Sequence, residues 1–362
     1  MSAAPILIMA GGTGGHVFPA LSLAAALRDH GYEPVWLGTP AGIEARLVPA
    51  AGFTLETLDI GGLRGKGLSS WLLAPWRLIG ALWSACRLMW RVRPAAVVGL
   101  GGYVTGPGGL AAWLCRRPLL IHEQNAIAGM TNRILARFAS GVYEAFAGSF
   151  PAAIKTHAIG NPVRKEFFDI ADPESRYQAR EGAIQVLTIG GSQGAAKLNA
   201  IVPEALVRVQ TKIALNVLHQ CGKSGVSATE ARYTELGVKA EVVPFIDDIA
   251  SAYAAVDILI CRAGALTVSE VAAAGVAAIF VPFPAAVDDH QTRNAQALEQ
   301  AGAALVISEK TLTADGLAEA ILRLASDRSV LGKMGSRARQ CAIPQATESL
   351  MQACLQAAGA SA

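Results

Sequence analysis

Two short apolar runs, far apart in the chain, each empty into a glycine-rich loop that opens a helix: ILIMAGGTGGH at Ile6–His16 and VLTIGGSQGA at Val186–Ala195. A buried strand that feeds small residues into a helix N-terminus presents backbone N–H groups to an anionic ligand. One such motif points to a phosphate. Two, one heading each half, predict an α/β chain of two Rossmann-like parallel-sheet domains facing across a cleft, with a charged ligand between them. At 362 residues the chain exceeds what one core usually supports.

Apolar runs without strict alternation, separated by helical patterns, indicate parallel sheets covered on both faces. The segment AIGNPVRKEF, 158–167, reads as a junction, which gives domains at 1–161 and 162–343. An Ala-rich helix at about 344–362 follows Pro344 and could pack on either one.

With 52% hydrophobic and 16% charged residues, a membrane span must be considered first. The longest uncharged run, Pro94–Cys115, holds two prolines and six glycines and reads as strand, loop and helix start, not as a spanning helix. No basic residue precedes the short N-terminal apolar run, so no signal peptide is expected and the chain is placed in the cytoplasm. The six cysteines show no CxxC or His-containing zinc spacing and read as small buried residues in a reducing compartment.

The net charge of +3 says little, but its distribution is uneven. No acidic residue lies between Asp59 and Glu123, a stretch holding eight basic residues and five of the six tryptophans. Basic residues interleaved with Trp suit nucleic acid or an anionic membrane surface. Within a helix at about 71–92, Leu72, Trp76, Ile79 and Trp83 recur at helical spacing, with Arg77, Arg87, Arg91 and Arg93 around them. That face is either an ordinary core-facing stripe or a peripheral membrane contact, made together with the loop at Arg64–Lys66.

The glycine loops do not suit NAD. Gly12-x-Gly14 is followed by Val17 where the dinucleotide fingerprint has Gly or Ala, and the next strand, PVWLGT, ends without an acid for the adenosine ribose. Gly191-x-x-Gly194 fits no better, and its next strand ends in LHQCG. Neither loop ends in Gly-Lys-Ser/Thr, which excludes a P-loop. His16, beside the first loop, is either a polar residue helping to cap its helix or a base or phosphate contact. CRAGALTVSE, 261–270, starts a helix whose Glu270 could accept both hydrogen bonds of a ribose cis-diol or simply complement the helix N-terminus. HEQN, His122–Asn125, sets four polar residues at a strand end, where ligands sit in open α/β sheets. The paired acids of FIDD, 245–248, and VDDH, 287–290, precede helices and read first as caps.

In order, GGTGGHVFPA, GLRGKG, GGYVTGPGG, HEQN, NPVR, GGSQGA, FIDD and CRAGALTVSE resemble the bacterial N-acetylglucosaminyltransferases that form lipid II, the MurG family, from about residue 6 to 345. The resemblance implies a GT-B fold and inverting transfer of N-acetylglucosamine from UDP-N-acetylglucosamine to lipid I, undecaprenyl-pyrophosphoryl-MurNAc-pentapeptide. It implies peptidoglycan synthesis at the cytoplasmic face of the inner membrane, with cell-wall synthesis proteins rather than nucleic acid as partners. No cofactor and no metal are implied.

On the same grounds Ser192 and Arg164 would contact the nucleotide and its phosphates, Ile246 the uracil through its backbone, and Glu270 the ribose. Ala265, Leu266, Thr267, Val268 and Ser269 would supply backbone groups to the diphosphate, and Gln291 would hold sugar hydroxyls. Thr13, Gly14, Gly15 and Asn125 would approach the donor from the N-terminal domain. His16, Tyr103, His122 and Glu123 would face the lipid-linked acceptor, with His16 as base and Glu123 as second candidate. Helix N-termini at Ser192 and Ala265, with Arg164, would meet the departing UDP without a metal, in keeping with the missing D-x-D. One departure lies in the loop after VPF. Many members carry a glutamine pair there, whereas this chain reads PAAVDDHQTRN, aligning His290 with the first glutamine and Gln291 with the second. A UDP-sugar 2-epimerase would share the two-domain fold without needing a Trp-rich basic surface, and a membrane-docked nucleotide-sugar-binding subunit is the non-enzyme alternative.

Overall fold

The computed structural model describes residues 4–60, 68–191, 194–286 and 289–359, with the backbone alone for 68–75. Ser192, the Arg64–Lys66 loop, Val287 and Asp288 therefore lie outside the described residues, as do the side chains of Trp71 and Leu72. The chain divides into two compact units, Met1–Arg164 with Ile343–Ala362, and Lys165–Ala342.

In the first unit, strands β1 (Ile6–Ala10), β2 (Pro34–Gly38), β3 (Thr54–Thr57), β4 (Ala96–Gly101), β5 (Leu119–Glu123), β6 (Gly141–Glu144) and β7 (His157–Ala158) form one sheet, ordered β3-β2-β1-β4-β5-β6-β7. Every pairing is parallel. Helices α1 (Gly14–Asp29), α2 (Glu44–Ala50), α3 (Leu68–Val92), α4 (Thr105–Leu114) and α5 (Met130–Leu135) connect the strands. β1 is apolar throughout because both of its faces are covered. Ile6, Ile8 and Ala10 enter one cluster with Val17, Leu23 and Leu27 of α1, and Leu7 and Met9 enter another with Ala85, Leu88 and Met89 of α3.

The second unit opens with α6 (Lys165–Phe168) and α7 (Pro173–Gln178), then runs β8 (Ile184–Ile189), α8 (Ala196–Gln210), β9 (Leu215–Gln220), α9 (Val226–Glu235) and β10 (Glu241–Val243). It continues through α10 (Ile249–Ala255), β11 (Ile258–Cys261), α11 (Ala265–Ala274), β12 (Ala278–Phe280), α12 (His290–Gln300), β13 (Ala304–Val306), α13 (Ala314–Ala325) and α14 (Arg328–Gln340). Its parallel sheet is ordered β10-β9-β8-β11-β12-β13, the same sequence of positions as in the first sheet. The last helix, α15 (Ala346–Ala357), buries Leu350, Met351, Cys354 and Leu355 in the α1 cluster of the first unit.

Several elements have no counterpart in the sequence expectations. β3 is half exposed and β7 is two residues long, so neither carries an apolar run. Nothing is predicted between 308 and 343, where α13 and α14 stand. The cysteines are free, but Cys341 is exposed and Cys115 half-buried, so burial holds for four of the six.

Candidate active site

In each sheet the strand order reverses beside its first strand, between β1 and β4 and between β8 and β11. Ligands of open α/β sheets bind at such switch points, outside the carboxyl ends of the strands. Both glycine loops sit there.

In the first unit, β1 ends in Gly11 and Gly12 and α1 begins at Gly14, with Thr13 as N-cap making no side-chain cap bond. The loop after β4 presses against it. Gly102 has φ +92°, and a Cβ there would come 2.5 Å from the Gly11 carbonyl oxygen, so only glycine fits. A Cβ on Gly101 would lie 2.6 Å from His16 Nδ1, so the imidazole leaves no room there for a side chain. His16 Nδ1 lies 3.0 Å from Gln124 Oε1. The Gln124 amide nitrogen is 3.2 Å from His122 Nδ1, and His122 Nε2 is 2.9 Å from the Gly160 carbonyl oxygen. Burial pushes the His122 imidazole toward its neutral form, against the opposing pull of Gly160 and Glu123.

Two expectations change here. His122 and Glu123 are buried, so neither can face an acceptor directly. Glu123 is also fully engaged. One oxygen accepts from Asn125 N and Nδ2 at 3.0 and 3.1 Å, the other from Gly129 N and Asn132 Nδ2 at 3.1 and 2.9 Å. A carboxylate has about four lone-pair sites, and all four are used to shape the loop 125–132, which is the work of a positioning residue and not of a base. Tyr103 is exposed beside β4, Thr13 is exposed, and Gly14, Gly15, His16 and Asn125 are half-buried.

Two supports escape the sequence. Glu44, fully buried on α2, accepts from Gly12 N at 3.0 Å and from Thr39 N and Oγ1 at 2.9 and 2.7 Å, pinning the first glycine loop from below. Burial pushes its carboxyl up, but these hydrogen bonds outweigh it and hold it below the usual value. In the second unit Gln220, at the end of β9, accepts from Gly191 N at 3.1 Å and donates to Gly191 O and Pro244 O at 3.0 Å. A lone acid at a helix start and a glutamine at a strand end give no pattern to find.

α11 starts behind Gly264, with no side-chain cap and no acid in its first turn, and α8 starts likewise behind Ala195. Ala265, Leu266 and Val268 are buried, Thr267 and Ser269 half-buried, and the Ser269 hydroxyl donates to Ala265 O at 3.0 Å. Glu270 is buried in the second turn of α11. Arg262, at the end of β11, is committed to Glu309 and to Val281 O. Ile246 is half-buried in the β10–α10 loop, and Asp248 caps α10 through Ser251 N at 3.0 Å. In VDDH, Asp289 accepts instead from the Thr292 hydroxyl at 2.7 Å and makes no backbone cap. Gln291 Oε1 accepts from Phe283 N at 2.9 Å. Arg164 closes the first unit, its guanidinium 5.3 Å from the centroid of Phe18.

On α3, Trp76, Ile79 and Trp83 are 73%, 58% and 53% exposed, whereas Ala81, Ala85, Leu88 and Met89 are buried. The tryptophan stripe is therefore not the core-facing side. One arginine does find an acid, Arg91 meeting Glu56 of β3 at 2.6 Å, and Arg87 lies over the Trp83 ring. Among the described residues no helix is long and apolar enough to cross a membrane.

The glycosyltransferase family 28 N-terminal domain matches residues 6–144, and the family 28 C-terminal domain matches 185–350. The chain is 53% identical, over 98% of both chains, to the UDP-N-acetylglucosamine–N-acetylmuramyl-(pentapeptide) pyrophosphoryl-undecaprenol N-acetylglucosamine transferase of Nitrosococcus oceani. It is also 53% identical, over 97% of both, to the enzyme of that name from Marinobacter nauticus. The crystal structure of Acinetobacter baumannii MurG is 43% identical and matches with a TM-score of 0.83 over 97% of this chain and 99% of that one. Anabaena HepE in complex with UDP, 16% identical with a TM-score of 0.66 over 96% and 99%, is a likeness of fold alone. The fold is the two-domain α/β fold named GT-B, and the chain belongs to the MurG branch of glycosyltransferase family 28.

Proposed function

We propose that this chain moves N-acetylglucosamine from UDP-N-acetylglucosamine to lipid I, with inversion at the anomeric carbon, to give lipid II. What carries the reading is 53% identity over 98% of both chains with an enzyme named for that transfer. In one displacement the acceptor hydroxyl oxygen bonds to the anomeric carbon, the bond from that carbon to the phosphate oxygen breaks, and UDP leaves with the electron pair. The hydroxyl proton passes to His16, at the mouth of the first switch point.

On the donor side, α8 and α11 keep their first-turn N–H groups and positive dipole ends for the diphosphate, since neither start is capped by a side chain or an acid. Glu270 accepts from the ribose, Ile246 lends backbone to the uracil, Gln291 holds sugar hydroxyls, and Ser192 and Arg164 meet the phosphates. Thr13, Gly14, Gly15 and Asn125 approach the sugar, and Tyr103 the acceptor. The exposed Trp and Ile face of α3 rests on the anionic inner leaflet, which makes the enzyme peripheral on the cytoplasmic side.

The purified chain, given UDP-N-acetylglucosamine and a lipid I analogue in detergent, is expected to form the disaccharide lipid and UDP one for one. Activity should persist after divalent ions are stripped, and its complete loss would overturn the metal-free departure of UDP. An epimer formed from UDP-N-acetylglucosamine alone would point to the epimerase reading. No transfer by the isolated chain would point to a binding subunit.

A further inference from the structure

Four polar groups of the first unit lie in a line with a single sense of donation. The Gly160 carbonyl can only accept, so the proton of its 2.9 Å bond sits on His122 Nε2. His122 is wholly enclosed, and burial favours its neutral form, which leaves a lone pair on Nδ1. Gln124, 3.2 Å away, must turn its N–H toward that nitrogen. Its oxygen then faces His16 Nδ1 at 3.0 Å, and an amide oxygen only accepts. His16 therefore carries its proton on Nδ1.

We propose that His122 and Gln124 are positioning residues that fix His16 as the Nδ1–H tautomer, leaving Nε2 as the nitrogen that takes the acceptor's proton. This rests on the reading of His16 as the base. Both residues are buried and act only through His16, whose ring lies close beside Gly101. The opposite state shows what the line prevents. With protons on both nitrogens of His122, the amide would turn its oxygen inward and its N–H toward His16 Nδ1. The His16 proton would then move to Nε2, where the reaction needs a lone pair. The ionisable groups around His122 among the described residues include His16 itself through Gln124, Glu123 next in the strand, Tyr143 paired with it on β6, and, facing Tyr143, Cys354 of α15 and His157 of β7, stacked on its ring at 5.6 Å. Burial holds Tyr143 and Cys354 neutral, the thiol pushed up to about 12.

Nitrogen NMR of the full chain with labelled histidine, the His16 signals assigned by their loss in His16→Gln, reads the tautomer directly and needs no substitution in the line. The expected form is Nδ1–H. In Gln124→Leu the Nε2–H form should gain, and kcat should fall by about 10²-fold or more with the KM for UDP-N-acetylglucosamine little changed. Gln124→Glu, which only accepts, should keep the Nδ1–H signal and move the acid limb of the pH–rate profile up by about 1 unit or more. An Nε2–H signal in the unaltered chain overturns the proposal, as does Gln124→Leu with tautomer and pH profile unchanged. The expected tautomer shift together with normal turnover of His16→Ala would uphold the lock and overturn the base.

Discussion

Buried carboxylates shape the loops of the first unit from beneath, and their charge is what lets them do so. Glu44 shows this in its response to pH. Its folded carboxyl titrates below the ordinary 4.5, so its contribution is full above that value and is lost as pH falls through the lower folded one. Glu44→Gln should be less stable than the unaltered chain by about 1–3 kcal/mol at neutral pH, with the difference shrinking in urea titrations as the pH is taken progressively below 4.5. A constant difference would show that the charge is not its source. His16→Ala should lower kcat by about 10²–10⁴-fold at saturating substrates, and near-normal turnover would remove His16 from the role of base. HEQN was legible as a polar cluster at a strand end, but the sequence does not say which way its side chains turn. Only the turn at 125–132 brings four donors onto Glu123, and only the closeness of α1 brings Gln124 to His16.

At the scale of elements, α3 shows what spacing can and cannot decide. Trp76, Ile79 and Trp83 read as one face from their intervals, but an interval does not say whether a face looks inward. The small and aliphatic residues Ala81, Ala85, Leu88 and Met89 take the core side, which leaves the bulky ones outside. Co-sedimentation with vesicles should rise with anionic lipid, weaken in high salt, and drop when Trp76, Ile79 and Trp83 become serine. Unchanged binding of that triple variant would place the membrane contact elsewhere. Apart from β6, whose GVYE is short and mixed, the interior strands were legible because apolar runs alternate with helical periods. β3 was not, since TLET is an edge strand with half its surface exposed. α13 did offer a signal, the Thr313 cap before an amphipathic run, whereas α14 is polar and interrupted by two glycines.

At the scale of the whole molecule, the two sheets repeat one strand order, and that repetition was legible from the paired glycine loops. The route of the chain was legible only as one of two options for the helix at about 344–362. It leaves the first unit at Arg164 and returns at Ile343. α15 then fills a hole in the first core with four apolar side chains, worth about 1.5–3 kcal/mol each. That sum rivals the net stability of a typical domain, about 5–15 kcal/mol. A chain cut after Gln345 should lose protease protection across the first unit while the second keeps its own melting transition. Protection retained in both would show that α15 is dispensable. The same route sets an order of events on the ribosome. The unit begun first is finished last, because the second can close as soon as Ala342 has emerged, whereas the first, its seven strands already made, waits with part of one apolar face uncovered for the helix beyond Ile343.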